Sequence, residues 1–367
     1  MIKTEPVHIK KWLLPFSWLY GFGVFIRNKF FDWGIFKQEE FDIPVICIGN
    51  ISVGGTGKTP HTEYLVKMLK DKYRVAVLSR GYKRKTSGFV LATAESTSLD
   101  LGDESYQIKR KFPDVTVAVD GNRRRGIKKL LDLDSPPEII LLDDAFQHRY
   151  VKPSYTIVLS DFNRPVYEDT LLPAGRLRES ASHLRDANII IITKCPEDLQ
   201  PIDFRIMSHD INVFPYQGLY FTRLTYNNLK PVFANANKEL PLDSIRGKDI
   251  LLATGIASPD MMIKKLSEYS DKIEMLTYPD HYNFKSKDIR RITDRFKGIL
   301  SDNKMVIVTE KDAARLVLRD DIDEELKENL YYLPIEVDFM NNDDKEFNEK
   351  ILKHVRENSG NRKIYKR

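Results

Sequence analysis

Apolar residues fall into short β-prone runs separated by stretches in which they recur at helical spacing. Val45–Ile48, Val75–Leu78, Val115–Val119, Glu138–Leu142, Tyr155–Leu159 and Asn188–Ile192 are such runs. Near-continuous apolar strands alternating with helices predict a parallel sheet covered on both faces, with ligands at the carboxyl ends of its strands. From about Tyr216 the pattern changes. Gly218–Leu224 reads as an isolated extended segment, followed by a second alternating set at Asp249–Ala253, Lys272–Leu276 and Met305–Val308. Tyr331–Val337 is another extended piece, leading to a final helix and a basic tail. Extended segments on both sides of the second set predict a two-stranded linker. The expected plan is a segment at 1–36, a larger domain at 37–215, a smaller α/β domain with its linker strands at 216–338, and a terminal helix and tail at 339–367.

Trp12 to Ile26 carries no charge and is bracketed by Lys10-Lys11 and by Arg27 and Lys29. It is shorter than the roughly twenty residues that span a bilayer. No small-residue cleavage site follows, but more aromatic residues do (Phe30, Phe31, Trp33, Phe36). The pattern suits a segment lying in the membrane interface, its rings at headgroup level. An N-terminal helix pair packed on the domain is the alternative.

A chain of 367 residues is long enough for two domains with separate cores. Its formal net charge of +5 does not call for a nucleic-acid partner. Cys47 and Cys195 sit in or beside apolar runs without metal-ligand spacing, as buried thiols do in a reducing cytoplasm.

The stretch PVICIGNISVGGTGKTPHTEYL, Pro44 to Leu65, runs from strand through glycine-rich turn to helix. That order predicts a phosphate-binding loop. Gly54, Gly55, Thr56 and Gly57 would turn backbone N–H groups onto phosphate oxygens at a helix N-terminus, Lys58 would reach the β- and γ-phosphates, and the Thr59 hydroxyl would ligate Mg²⁺. Ser52 stands where the common pattern has its first glycine. The expected fold class is therefore α/β, a P-loop NTPase-type parallel sheet plus a smaller α/β domain. About eighty residues on, Asp143-Asp144 ends an apolar strand and could hold the metal. Both carboxylates can serve only if the chain turns there.

Other residues leave both readings open. Asp103 and Glu104 open a helical pattern, where acidic residues also favour the helix dipole. His281, beside Asp280 in a loop after a second-domain strand, is a structural aromatic neighbour or half of an Asp–His pair. Arg80, Tyr82, Gln147, His148 and the Leu171–Glu179 run belong either to solvent or to a site.

Taken together, the motifs resemble one family, the tetraacyldisaccharide 4′-kinases of lipid A biosynthesis. The residues that carry the resemblance are Gly49 to Pro60, Ser79-Arg80-Gly81-Tyr82, Gly102-Asp103-Glu104, Asp143 to His148, Leu171 to Glu179, Asp280 to Phe284 and Thr309 to Ala313. Two positions depart from the family's usual glycine, Ala145 and Lys83. The resemblance implies transfer of the γ-phosphate of ATP, with Mg²⁺, to the 4′-hydroxyl of tetraacyldisaccharide 1-phosphate, forming lipid IVA. It implies Lys58 and Thr59 at the ATP phosphates and metal, Asp143 and Asp144 as metal-side carboxylates, Asp103 as catalytic base and His281 as its partner. Arg80, Tyr82, Glu104, Gln147, Arg178 and Glu179 match family active-site positions. It further implies a peripheral protein on the cytoplasmic face of the bacterial inner membrane, with a lipid A precursor as substrate and neither a nucleic-acid nor a protein partner.

Three other classes share parts of this pattern. A partition-type ATPase switch carries a lysine before its paired glycines, where this chain has Val53. A GTPase needs N/T-K-x-D, and Thr193-Lys194-Cys195-Pro196 puts proline at the deciding place. The third is a non-catalytic nucleotide-dependent scaffold.

Overall fold

Strands β1 (Val45–Asn50), β2 (Val75–Ser79), β3 (Val90–Leu91), β4 (Thr116–Val119), β5 (Ile139–Asp143), β6 (Tyr155–Asp161), β7 (Ile189–Thr193) and β8 (Gly218–Tyr226) follow one another along the first part of the chain. β9 (Lys230–Pro231), β10 (Asp249–Thr254), β11 (Ile273–Thr277), β12 (Lys304–Thr309) and β13 (Leu330–Leu333) come next, then β14 (Ile335–Phe339). The helices are α1 (Leu14–Asp32), α2 (Lys58–Leu69), α3 (Ser98–Leu101), α4 (Asp103–Lys111), α5 (Arg123–Leu131), α6 (Pro201–Ile211), α7 (Asp260–Ser267), α8 (Ser286–Gly298), α9 (Glu310–Leu316), α10 (Glu324–Asn329) and α11 (Asp344–Ile364). This computed structural model describes residues 7–233, 238–256, 259–279 and 282–364, with side chains to 358.

The larger sheet has the order β14-β8-β7-β6-β1-β5-β2-β4-β3. β1 lies between β5 and β6, parallel to both, and Ile48 faces Asp143 in register. The end of β5 thus lies beside the end of β1. Successive strand residues point to opposite faces. Ile46 and Ile48 accordingly pack with Leu65, Val66 and Leu69 of α2 and Phe347 and Ile351 of α11. Val45 and Cys47 pack with Ile127 and Leu130 of α5 on the other face. Sheathing on both faces explains why these strands read as unbroken apolar runs.

Residues 1–224 and 337–367 form one compact unit and residues 225–336 another. The chain crosses between them in β8 and β14, which are neighbours in the larger sheet. In the second unit β10 pairs in parallel with β11 and β12, and β12 with β13. The extended stretch Tyr331–Val337 is two strands in two sheets, divided at Pro334. Proline offers no N–H to either ladder.

The uncharged N-terminal stretch is one continuous helix, α1, preceded by a 3₁₀ turn at Lys11–Leu13. Pro15 falls in its first turn, where proline costs nothing. No helix among the described residues is long and apolar enough to cross a membrane.

Candidate functional site

The loop between β1 and α2 turns at Gly54 (φ 118°) and Gly57 (φ 83°), conformations only glycine enters freely. Gly49 admits close approach from the facing loop, since a Cβ there would meet the Phe146 Cβ at 2.6 Å. Ser52 keeps a negative φ, so its position needs no glycine; it bridges to Leu177 in antiparallel fashion. Val53 N–H donates to Arg176 O (2.8 Å) and Arg178 N–H to Ile51 O (2.7 Å). The Leu171–Glu179 run therefore braces the loop from outside. From inside, Asn50 Nδ2 donates to Thr56 Oγ1 (2.8 Å) and Thr193 Oγ1 to Thr56 O (2.9 Å).

β5 ends at Asp143 and the chain turns at once, with Asp144 at φ 47°. The turn lets consecutive carboxylates face one locality. The left-handed residue is Asp144, so Ala145 stands in place of the family's usual glycine without strain. Lys58 Nζ lies 3.6 Å from Asp144 Oδ1, and Arg178 Nη1 lies 3.3 Å from the same oxygen. Arg178 Nη1 also donates to Gln147 Oε1 (3.4 Å), and Gln147 Nε2 donates to Asn50 O (2.7 Å). Burial alone would raise the Asp144 pKa, yet Lys58 and Arg178 hold it below the ordinary carboxylate value. Asp143 is buried and accepts from Thr62 Oγ1 (3.1 Å). Burial, then the charge of Asp144, pushes it up to about 6, and Glu104 adds to the rise. Glu104 thereby belongs to the same electrostatic neighbourhood.

Asp103 is half-buried at the first position of α4, behind Gly102 (φ 82°). A Cβ on Gly102 would meet Tyr82 O at 2.7 Å, so the Arg80–Tyr82 turn packs directly against the start of α4. Glu179 points elsewhere. It accepts from Arg27 Nη2 (2.6 Å) and Asn28 Nδ2 (2.8 Å) of α1. Ser17 Oγ donates to Leu171 O (2.9 Å) and Tyr20 Oη to Arg178 O (3.0 Å), so one face of α1 is fixed to the bracing run. The other face shows Phe16, Trp18, Leu19, Phe22 and Phe25, and the preceding 3₁₀ turn shows Trp12, each more than half exposed. Asp280 and His281 lie outside the described residues. In the second unit, Thr309 and Asp312 form a structural bracket. Asp312 accepts from Gly255 N (2.9 Å) and Thr309 Oγ1 (2.7 Å) and pairs with Arg315 (3.1 Å), which donates to Tyr282 O (3.2 Å).

A sequence profile of tetraacyldisaccharide-1-P 4′-kinases matches residues 9–356. The chain belongs to this family. A tetraacyldisaccharide 4′-kinase of Bacteroides thetaiotaomicron is 52% identical over 363 residues, covering 97% of this chain and 96% of the relative. One from Porphyromonas gingivalis is 46% identical over 350 residues, 94% and 97% of the two chains. The crystal structure of LpxK from Aquifex aeolicus in complex with ATP superposes with a TM-score of 0.73 at 26% identity, over 94% of this chain and 99% of that one.

Within the family framework, two residues join the site that the sequence pattern did not single out. Arg123, only 3% exposed, donates from Nη2 to Asp144 O (3.4 Å) and from Nη1 to Asp120 O (3.2 Å). Its Nε makes no hydrogen bond among the described residues. In the sequence it is one of three consecutive arginines, and nothing there says which turns inward. His61 is buried under the loop and bonds the Gly57 carbonyl. It resembles any other helical residue until β8 is placed behind it.

No cluster of three or more His, Cys, Asp or Glu that could hold a metal occurs among the described residues. Mg²⁺ differs from metals held in all-protein cages: one or two carboxylates, waters and substrate phosphates suffice. Asp143 and Asp144, whose mutual repulsion raises one of them, fit that donor set beside the Thr59 hydroxyl.

Proposed function

We infer that the protein transfers the γ-phosphate of ATP to the 4′-hydroxyl of a tetraacylated glucosamine disaccharide 1-phosphate in lipid A biosynthesis. The carrying observation is the family match from residue 9 to 356, with the Lys58–Asp144–Arg178 cluster set at the mouth of the glycine loop.

Backbone N–H groups from Gly54 to Thr59 cradle the nucleotide phosphates, and the start of α2 adds its positive dipole. Lys58 and Arg178, which pair with Asp144, are the cations that would turn to phosphate oxygens when ATP binds. Arg123 and Arg80 add positive charge nearby, since both act electrostatically on the same locality. Asp143, Asp144 and Thr59 would hold Mg²⁺, which when bound would neutralise charge at the phosphates. Asp103 receives the proton of the acceptor hydroxyl, and the family resemblance gives His281, which lies outside the described residues, the supporting role. Gln147 fixes Arg178, and Glu179 fixes α1 to the run that shapes the loop.

The exposed aromatic face of α1 supports a peripheral position on the cytoplasmic face of the inner membrane, at headgroup depth, where a lipid acceptor would reside. The deciding experiment incubates purified protein with γ-labelled ATP and the lipid disaccharide in mixed micelles. Label on the lipid is expected. ATP hydrolysis without lipid labelling would instead assign an ATPase switch.

A further inference from the structure

Glu63 is a buried carboxylate on α2, 4% exposed, that faces another helix instead of the phosphate loop. Its Oε1 accepts from Gln107 Nε2 (2.8 Å) and its Oε2 from Lys111 Nζ (2.5 Å), both on α4. Gln107 and Lys111 are about one helical turn apart, and Asp103, the first residue of α4, precedes Gln107 by the same interval. Residues at that spacing lie on one stripe of a helix, so Asp103 stands on the stripe that Glu63 grips. On α2, Thr59 precedes Glu63 by the same interval.

The two helices run alike. α2 leads from the end of β1 to the start of β2, α4 leads into the start of β4, and β1, β5, β2 and β4 are parallel. Both helices therefore begin at the carboxyl end of the sheet, and one turn above the grip their stripes carry Thr59 and Asp103.

Packing alone would not fix α4. It has nine residues, of which Ser105 and Ile108 are buried, and helices this short are marginal by themselves. Its start is pinned by Ser105 Oγ, 2.5 Å from Ser79 Oγ at the end of β2. For stability an apolar side chain would serve as well as Glu63, because a buried ion pair gains little over apolar packing of the same volume. A carboxylate holding two partners one turn apart supplies register instead, since it resists both sliding and rolling of α4 against α2.

We propose that Glu63 is a positioning residue for phosphoryl transfer: by gripping Gln107 and Lys111 it keeps the helix that carries Asp103 in register with the helix that carries Lys58 and Thr59. It acts through Asp103, so the role rests on Asp103 being the base. A slip of one turn would displace Asp103 by about 5.4 Å, and an offset of about 1 Å already costs on the order of a hundredfold in rate.

The test measures single-turnover transfer from γ-labelled ATP to the lipid disaccharide in mixed micelles, for Lys111→Met and Lys111→Arg, each alone and combined with Asp103→Ala. Lys111 is the safer partner to alter, its side chain being 23% exposed against 5% for Glu63. Methionine keeps the aliphatic stem and drops the charge. Lys111→Met should lower transfer about tenfold with KM for ATP unchanged, and Lys111→Arg, which keeps the ion pair, should stay within about twofold of the parent. With Asp103→Ala present, Lys111→Met should cost less than about twofold, because nothing is left to position. Equal fold losses with and without Asp103 would reduce the grip to a structural contact and overturn the proposal. So would a Lys111→Met rate within about twofold of the parent, or a raised KM for ATP with transfer at saturating ATP intact. Asp103→Ala transferring at the parent's rate would remove the base and this role together. An unlabelled lipid with the parent would overturn the kinase reading itself.

Discussion

His61 joins the last glycine of the phosphate loop to β8: its Nδ1 lies 2.7 Å from Gly57 O and its Nε2 3.1 Å from Thr222 Oγ1. A carbonyl can only accept, so Nδ1 carries the proton and Nε2 receives the threonine hydroxyl. The ring is buried and neutral. His61→Ala should cost about 1–3 kcal/mol of stability, because a buried ring that bridges the Gly57 carbonyl and the Thr222 hydroxyl is lost and leaves a void. It should also raise KM for ATP, since the loop loses its inner support. Urea unfolding and nucleotide titration read the two effects separately.

Acid should loosen the fold through the same residue. Burial pushes His61 from 6.5 down to about 4, and burial, then Arg123, does the same to His148. The unfolded chain takes up a proton below pH 6.5 that the folded ring refuses until about 4, so stability drains as pH falls through that window. His61 alone accounts for about 2 kcal/mol between pH 7 and 5, and the partly solvated His148 for less. Asp143, raised to about 6, works in the opposite sense below that pH and offsets part of the fall. In His61→Gln the pH dependence of the urea midpoint should flatten.

Asp143→Asn should separate stability from activity. Burial, then the charge of Asp144, pushes the carboxyl up to about 6, so its charge at pH 7 costs the fold stability. Asparagine removes the charge and still accepts from Thr62. The variant should unfold about 1–3 kcal/mol later at pH 7, an advantage that shrinks as pH falls from 6 towards 3.8, while lipid phosphorylation drops at least about hundredfold. Loss of stability at pH 7 would contradict the repulsion assigned to the carboxylate pair.

Asp103→Ala should reduce turnover by about two to four orders of magnitude with ATP affinity nearly unchanged, the signature of a positioned base. Single-turnover transfer to the lipid is the appropriate measurement. Turnover within a few-fold of the parent would remove Asp103 from that role.

The exposed face of α1 can be altered without touching the packed one. Trp18 and Phe22 are 71% and 61% exposed. Trp18→Gln combined with Phe22→Gln should leave the melting temperature within about 2 °C and shift the protein from sedimenting with anionic vesicles to the supernatant. Continued sedimentation would place membrane contact elsewhere.

The buried strands were legible because both faces are covered and every position is apolar, as in Ile189–Ile192. β3 and β9 were not legible: each is two residues long and only partly covered, so no periodicity develops. Pro334 divides what reads as one extended piece, because sheet membership depends on partners far away in sequence. The glycine loop, Lys58 and the carboxylate pair could be read from local spacing. The Thr62 hydroxyl on Asp143, the inward choice of Arg123 among three arginines and the His61 contact with β8 could not, since each depends on register between distant strands. Lys83 shows the same limit. Its sequence neighbours give no sign of its positive φ.

The stretch from Leu171 to Glu179 ties the loop before α2 to the N-terminal helix. Cutting away α1 strips Glu179 of Arg27 and Asn28, although its side chain is only 4% exposed, and releases the carbonyls of Leu171 and Arg178. Losing the partner of a buried carboxylate costs about 3–5 kcal/mol, and here the loss falls on the nine residues that shape the ATP loop. Truncating α1 should therefore weaken nucleotide binding, whereas repainting its outer face leaves that support in place.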